Sequence, residues 1–250
     1  MIVCIDLNCD MGESPDGSVD TAIMPFVSSA NIACGFHAGN ADTMRRTVQL
    51  ALQHSVAIGA HPSFADRENF GRREMHLSAV EIISMVIAQL QTLKAIAVAE
   101  GSRLHHVKPH GALYNMAAKD ASLARSIANA VLDFDASLIV YGLSGGCLVS
   151  EAKAIGLRTA SEVFSDRSYQ PDGTLTRRTD PSAMIHDKQK SIEQVLQMVR
   201  TGKVVANDGT VITVTAETVC IHGDETGAAA LACELSAAIR QAGITILPPS

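Results

Sequence analysis

Acids, imidazoles and an ammonium group follow short apolar, β-prone runs at six places in this chain. Val3 to Leu7 leads into Asn8, Asp10 and Glu13; Asn31 to Cys34 into Gly35, Phe36 and His37; Val56 to Ala60 into His61 and Pro62. His106 and Val107 lead into Lys108, Pro109 and His110; Thr159 and Ala160 into Glu162, Asp166 and Arg167; Val219 to Ile221 into His222 and Asp224. Asp6, Asn8, Asp10 and Glu13 put four acceptors at one strand end, a set suited to holding a hard cation or orienting a water as general base. His37 and His61 end neighbouring apolar runs with glycine two residues away, which suggests a close backbone approach to a ligand. Lys108 and His110, two residues apart around a stiffening Pro109, suit stabilisation of developing negative charge and either proton transfer or metal binding; Tyr114 and Asn115 add hydrogen-bonding groups.

Structural readings compete at several of these positions. Asp6 can be hydrogen-bonded inside the sheet, Glu13 can cap a turn, and Asp224 suits a helix N-cap. Glu162, Asp166 and Arg167 can supply an ion pair that holds a long loop. His54, His76, His105 and His186 read as bland surface or edge residues. Ser144-Gly145-Gly146 before a helix is a weak anion-turn signal.

To bring such residues together, the chain needs strands that end on one side. Helical periodicity alternates with the strand runs at Ala41 to His54, Ser78 to Glu100, Ala121 to Leu132, Gly146 to Ala154, Lys188 to Thr201 and Thr226 to Arg240. Ser78 with Glu81 forms a capping box, and Gly101, Gly156 and Gly202 follow helices. Further strands are expected at Ser137 to Tyr141 and Ile244 to Leu247. A Val204 to Ala206 and Val211 to Val214 hairpin is expected around Asn207-Asp208-Gly209. The pattern predicts an α/β fold, a (β/α) barrel of seven or eight parallel strands, TIM-like and closed or nearly closed, over one domain spanning 1–250; a doubly wound open sheet is the alternative. Parallel strands present their carboxyl ends on one face, so the six clusters converge there. Two long loops, Pro62 to Arg73 and Phe164 to Pro181, leave those ends and read as lids or docking surfaces.

Composition narrows the function classes. The 250 residues are 47% hydrophobic and 18% charged, enough apolar material for a buried sheet covered by helices. A net charge of -6 with scattered Lys and Arg argues against nucleic acid as a partner, as do 4% aromatics and no Trp. Neither a secretory signal nor an uninterrupted apolar run of about 20 residues is seen, so no membrane role is expected. Six cysteines without CxxC spacing read as reduced thiols of a cytoplasmic protein. No G-x-S-x-G, G-x-x-x-x-G-K-[ST] or HExxH pattern occurs, so the chain carries no recognisable ATP loop of its own and serine hydrolase or zincin chemistry is disfavoured.

Taken together, the segments Asp6 to Glu13, Ser29 to Gly39, Gly59 to Ser63, Val107 to Tyr114, Glu162 to Arg167 and Ile221 to Asp224 closely resemble the LamB/YcsF family, in order and over nearly the whole chain. That resemblance implies a barrel related to metal-dependent sugar deacetylases. It also implies hydrolysis of 5-oxo-L-proline to L-glutamate coupled to cleavage of ATP to ADP and phosphate, with 5-oxoprolinase subunits B and C as partners and ATP as cosubstrate of the complex. On this reading Asp10 or Glu13 activates water, His61 and His110 transfer protons, and Lys108 stabilises the oxyanion or the substrate carboxylate; Asn8, Asn31, His37, Tyr114, Glu162, Arg167 and His222 bind substrate. Alternatives are a stand-alone amidohydrolase or deacetylase with a divalent metal on Asp10, His61 and His110, and a non-catalytic carrier of a small carboxylate. Homo-oligomerisation is left open.

Overall fold

The computed structural model describes residues 4–14, 16–223 and 227–250. The expected N-cap at Asp224 and the helix start at Thr226 lie outside those residues. In chain order the elements are β1 (Cys4–Met11), α1 (Ser18–Ile23), β2 (Ser29–Ala33), α2 (Ala41–Gln53), β3 (Ala57–His61) and α3 (Ala79–Ala99). Next come β4 (His106–Val107), α4 (Gly111–Ala117), α5 (Ala121–Asp135), β5 (Ile139–Leu143), α6 (Cys147–Ala154) and β6 (Arg158–Phe164). The chain ends with α7 (Lys188–Thr201), β7 (Lys203–Val205), β8 (Val211–Thr213), β9 (Thr218–Ile221), α8 (Ala228–Gln241) and β10 (Thr245–Ile246).

Seven parallel strands close a barrel in the order β1, β2, β3, β4, β5, β6 and β9, with β9 paired back onto β1 through Asp6 and Thr218. Closure rules out the doubly wound sheet, because β1 has a hydrogen-bonded neighbour on each side. The eighth parallel strand, β10, pairs only with the start of β1, Cys4 opposite Thr245. The predicted hairpin exists as β7 and β8, antiparallel and outside the barrel, with Val204 opposite Ile212.

Alternation along β1 sorts the side chains. Ile5, Leu7, Cys9 and Met11 join the apolar layer beneath the helices, while Asp6, Asn8 and Asp10 bond to residues of other strands across the interior. Helix ends follow the sequence signals: Ser78 and Glu81 form the capping box of α3, Asn40 and Thr43 one for α2, and Gly202 ends α7 in the left-handed region. Helices α1 and α4 were not expected. Both are short, and α4 begins inside a segment whose residues read as chemistry.

By length and apolar composition α3 could cross a membrane. In the fold its Ile82, Val86, Leu90, Leu93 and Ile96 are part of the core, and Gln89 is buried and bonded to the Ser63 backbone.

Candidate active site

The carboxyl ends of the barrel strands open into a cavity of about 670 Å³. Asp10 and Glu13 from the end of β1, His61 from β3, and Lys108 and His110 after β4 all line it, so the five expected catalytic side chains share one hollow. Tyr114, Arg167 and His222 line it as well. The two long loops wall it, contributing Arg72 on one side and Thr174 to Thr179 on the other. Neither loop hangs free. Arg67 donates to the carbonyls of Gly35 and Gly39, each at 3.0 Å, and the Phe164 amide donates to the fully buried Tyr169 hydroxyl at 2.8 Å.

An ammonium and two carboxylates form one half of the floor. Lys108 Nζ lies 3.0 Å from Asp10 Oδ1 and 2.8 Å from Glu162 Oε1, and donates to Asn8 Oδ1 at 3.1 Å. Burial pushes the Lys108 ammonium pKa down, but Asp10, Cys220 and Glu162 outweigh it and hold the group well above its usual value. For Asp10 burial likewise works upward, and His61 and Lys108 reverse it, so the carboxyl stays well below the usual range. Lys108 is therefore a permanently charged, fixed cation whose side chain is only 3% exposed.

Three imidazoles form the other half. His61 Nε2 approaches His110 Nδ1 at 2.9 Å and Asp10 Oδ2 at 3.2 Å. His37 stacks on His110 with ring centroids 3.9 Å apart, and its Nε2 lies 3.0 Å from Glu13 Oε1. Burial, then His61, pushes the His37 pKa down to about 3. Burial, then His61 and His37, pushes His110 well below its ordinary value. These two rings are neutral at physiological pH. Glu13, His37, His61 and His110 place their donor atoms within 4.8 Å of one another, a group able to hold a metal ion. Asp10, Cys220 and His222 form a second such group.

Several residues expected to touch substrate lie beneath this floor instead. Asn8 is buried and spans the strands, donating to Glu162 Oε1 at 2.9 Å and Thr218 Oγ1 at 2.6 Å. Asn31 donates to Asn8 Oδ1 and Asp10 Oδ1 at 2.8 and 2.9 Å. With Glu162 and His37 they form a supporting layer that fixes Lys108, Asp10 and His110. Arg167 lines the cavity but is committed to the carbonyl oxygens of Ala183 and Thr176, so it holds the second loop. Of Glu162, Asp166 and Arg167, which could have supplied an ion pair for the long loop, Glu162 meets Lys108 and Asp166 meets His222, whose Nδ1 lies 2.9 Å from both carboxylate oxygens. Among the described residues the buried Tyr114 hydroxyl makes no well-formed hydrogen bond, although Glu162 acts on it.

Three participants escaped the sequence reading. Cys220 Sγ sits 3.1 Å from Lys108 Nζ, Ser63 bonds to His37 Nδ1 at 2.9 Å, and His106 bonds through Nε2 to Asn31 Oδ1 at 2.8 Å. Gly59 belongs with His106: an added Cβ would lie 2.0 Å from that ring, so this glycine admits a neighbouring imidazole rather than a ligand. The alternation of β4 was the signal for His106, which must face inward if Lys108 does.

Comparison with known proteins agrees with this architecture. The LamB/YcsF family pattern matches residues 5–250. A Bordetella pertussis protein named as the A component of 5-oxoprolinase is 54% identical over 245 residues, covering 97% of each chain. The crystal structure of a lactam utilization protein from Thermus thermophilus superposes with a TM-score of 0.92 at 44% identity, covering 99% of this chain and 100% of that one. A family 4 carbohydrate esterase from Streptomyces lividans, at 12% identity and a TM-score of 0.53, shares the fold alone.

Proposed function

The chain belongs to the LamB/YcsF family, and on that premise we propose that it is the A component of an ATP-dependent 5-oxoprolinase and opens the lactam ring of 5-oxo-L-proline to give L-glutamate. The relatives' shared name, which designates one lettered component of 5-oxoprolinase, supports a place in an assembly. We assign the phosphoryl step to partner subunits B and C, since this sequence has no nucleotide loop. A five-membered lactam is resonance-stabilised; phosphorylation of its oxygen makes the ring carbon electrophilic and supplies a leaving group, which gives ATP its reason to be consumed.

The observation that carries this reading is the Asp10–Lys108 pair, 3.0 Å apart at the floor of a cavity of small-molecule size. Asp10 takes the proton of the attacking water; the ring C–N bond then breaks with its nitrogen protonated to the amine of glutamate, the phosphorylated oxygen leaves as phosphate when the resulting acyl phosphate is hydrolysed, and Lys108 faces the anionic oxygens of the phosphorylated substrate. A carboxylate held down by an ammonium is a weak base at rest. Once the substrate's negative charge draws on Lys108, Asp10 loses part of its stabilisation and becomes basic at the moment a base is needed. Arg177 and Arg178 at the cavity wall suit an anionic substrate. The free thiols fit a cytoplasmic setting.

Glutamate formation from 5-oxoproline and ATP, measured with subunits B and C present and absent, tests the proposal. Turnover requiring all three components, and falling at least about a hundredfold in Asp10→Asn, supports it. Tight ATP binding and hydrolysis by the isolated chain would overturn the division of labour, and full turnover in Asp10→Asn would favour the carrier reading.

A further inference from the structure

Tautomers decide what the imidazole cluster can hold. His61 Nδ1 lies 2.7 Å from the Lys108 carbonyl oxygen and His110 Nε2 lies 2.9 Å from the Phe70 carbonyl oxygen. A carbonyl only accepts, so both nitrogens carry protons. The Ser63 hydroxyl donates to the Phe64 carbonyl at 2.9 Å, which leaves it to accept from His37 Nδ1. On His37 and His110 the remaining nitrogen is then a lone pair, and His61 turns its Nε2 toward them.

Those three nitrogens, His37 Nε2, His61 Nε2 and His110 Nδ1, gather with the Glu13 carboxylate within 4.8 Å of one another. His61 Nε2 and His110 Nδ1 face each other at 2.9 Å, and Asp10 Oδ2 lies 3.2 Å from the same His61 nitrogen, so either a proton or a metal ion must sit among them. The other edges are 3.0 Å from His37 to Glu13, 3.5 Å from His110 to Glu13 and 3.9 Å from His61 to Glu13. Four donors around a tetrahedral zinc-sized ion, with bonds of about 2.0–2.1 Å, stand roughly 3.3 Å apart, and the observed edges straddle that figure. Each ring's outward N–H is tied to an oxygen acceptor, the arrangement that fixes ring orientation in metal-binding histidines.

The second donor group makes the contrast. There Lys108 Nζ already lies 3.0 Å from Asp10 and 3.1 Å from Cys220, so Asp10, Cys220 and His222 enclose a cation supplied by the chain. We propose that Glu13, His37, His61 and His110 bind one divalent transition-metal ion of the zinc class. Imidazole with a single carboxylate suits such ions better than magnesium or calcium. The binding itself does not depend on ring opening; its catalytic meaning, the Lewis acidity such an ion would supply on residues that adjoin Asp10 through the 3.2 Å His61–Asp10 contact, rests on the function proposed above.

The test is elemental analysis of the full chain after chelator stripping, reloading with zinc and removal of excess. About one zinc per chain is expected, with a raised melting temperature and, after cobalt substitution, the visible absorption of a four-coordinate ion. His37→Ala and His110→Ala should lose the ion and His222→Ala should keep it. Ser63→Ala, a small change that removes only the acceptor on His37, should weaken zinc binding about tenfold or more, and it keeps the test valid if the histidine variants fail to fold. Zinc below about a tenth of stoichiometry would overturn the site and leave a proton on His61 as the occupant. Unaltered zinc affinity in Ser63→Ala, or zinc lost in His222→Ala but not in His37→Ala, would overturn it too. Turnover with subunits B and C is read separately, so zinc without ring opening removes the function, and ring opening without zinc removes the site.

Discussion

Two carboxylates on the same inward face of β1, four residues apart, live in opposite surroundings. Asp6 accepts from the hydroxyls of Ser28, Ser29 and Thr218 at 2.6, 2.8 and 2.6 Å, all neutral donors. Asp10 faces the Lys108 ammonium and the His61 ring. Burial dominates at Asp6 and pushes its carboxyl up from 3.8; at Asp10 the charged neighbours override burial and hold it well down. Depth in the barrel therefore separates structure from chemistry. In the lower layer uncharged hydroxyls satisfy the Asp6 carboxyl and the pattern closes, whereas around Asp10 charges are held in fixed positions against an open cavity, where a substrate can redistribute them.

The largest expected break in this contrast is Lys108→Met. Loss of the ammonium should cut coupled turnover by about a hundredfold or more. It also strands Glu162, a fully buried carboxylate, so stability should fall by about 3–5 kcal/mol in urea unfolding. The double variant Lys108→Met/Glu162→Gln should recover most of that stability and none of the activity. Recovery of both would move Lys108 into the supporting layer.

Asp10→Asn comes next. Turnover should fall by about two to four orders of magnitude, while the melting temperature drops less than in Lys108→Met because Lys108 keeps Glu162 as partner. Gly59→Ala reverses the balance from below: its new methyl must displace the His106 ring, costing about 1–3 kcal/mol. His106 is hydrogen-bonded to Asp10 through Asn31 rather than directly, so turnover per folded molecule should fall far less than in Asp10→Asn. Equal losses in the two variants would erase the distinction between the layers.

Much of the rim was legible because strand exits announce themselves. Apolar runs ending in His61, or in Lys108-Pro109-His110, fix both the strand and the side on which chemistry gathers. Depth was not legible. Asn8 and Asp10 alternate onto the same inward face, and only the barrel's closure decides that one is covered by Glu162 and Thr218 while the other meets the cavity. The same limit hid Cys220 and Ser63, whose partners come from strands and loops far away in sequence. Arg167 misled for a related reason: a guanidinium at a strand exit looks like an anion site until the loop it fastens, through Ala183 and Thr176, is folded.

The smallest and most diagnostic effect concerns Asp6. Its folded pKa is raised above 3.8, so its contribution to stability is fully present below the unfolded value and is lost as pH rises through the folded one. Asp10 has the opposite sign, contributing above 3.8 and losing that contribution as pH falls toward its lower folded value. Asparagine resembles the protonated acid and does not titrate, so Asp6→Asn should match the wild type near pH 4 to within about 1 kcal/mol. It should then gain on the wild type steadily as pH rises, whereas Asp10→Asn should lose ground over the acid range. Urea unfolding of the three proteins at several pH values reads both slopes. If Asp6→Asn instead fell behind as pH rose, the lower carboxylate would be ionised and held by charge, and the division of the barrel into a neutral layer and a charged one would be gone.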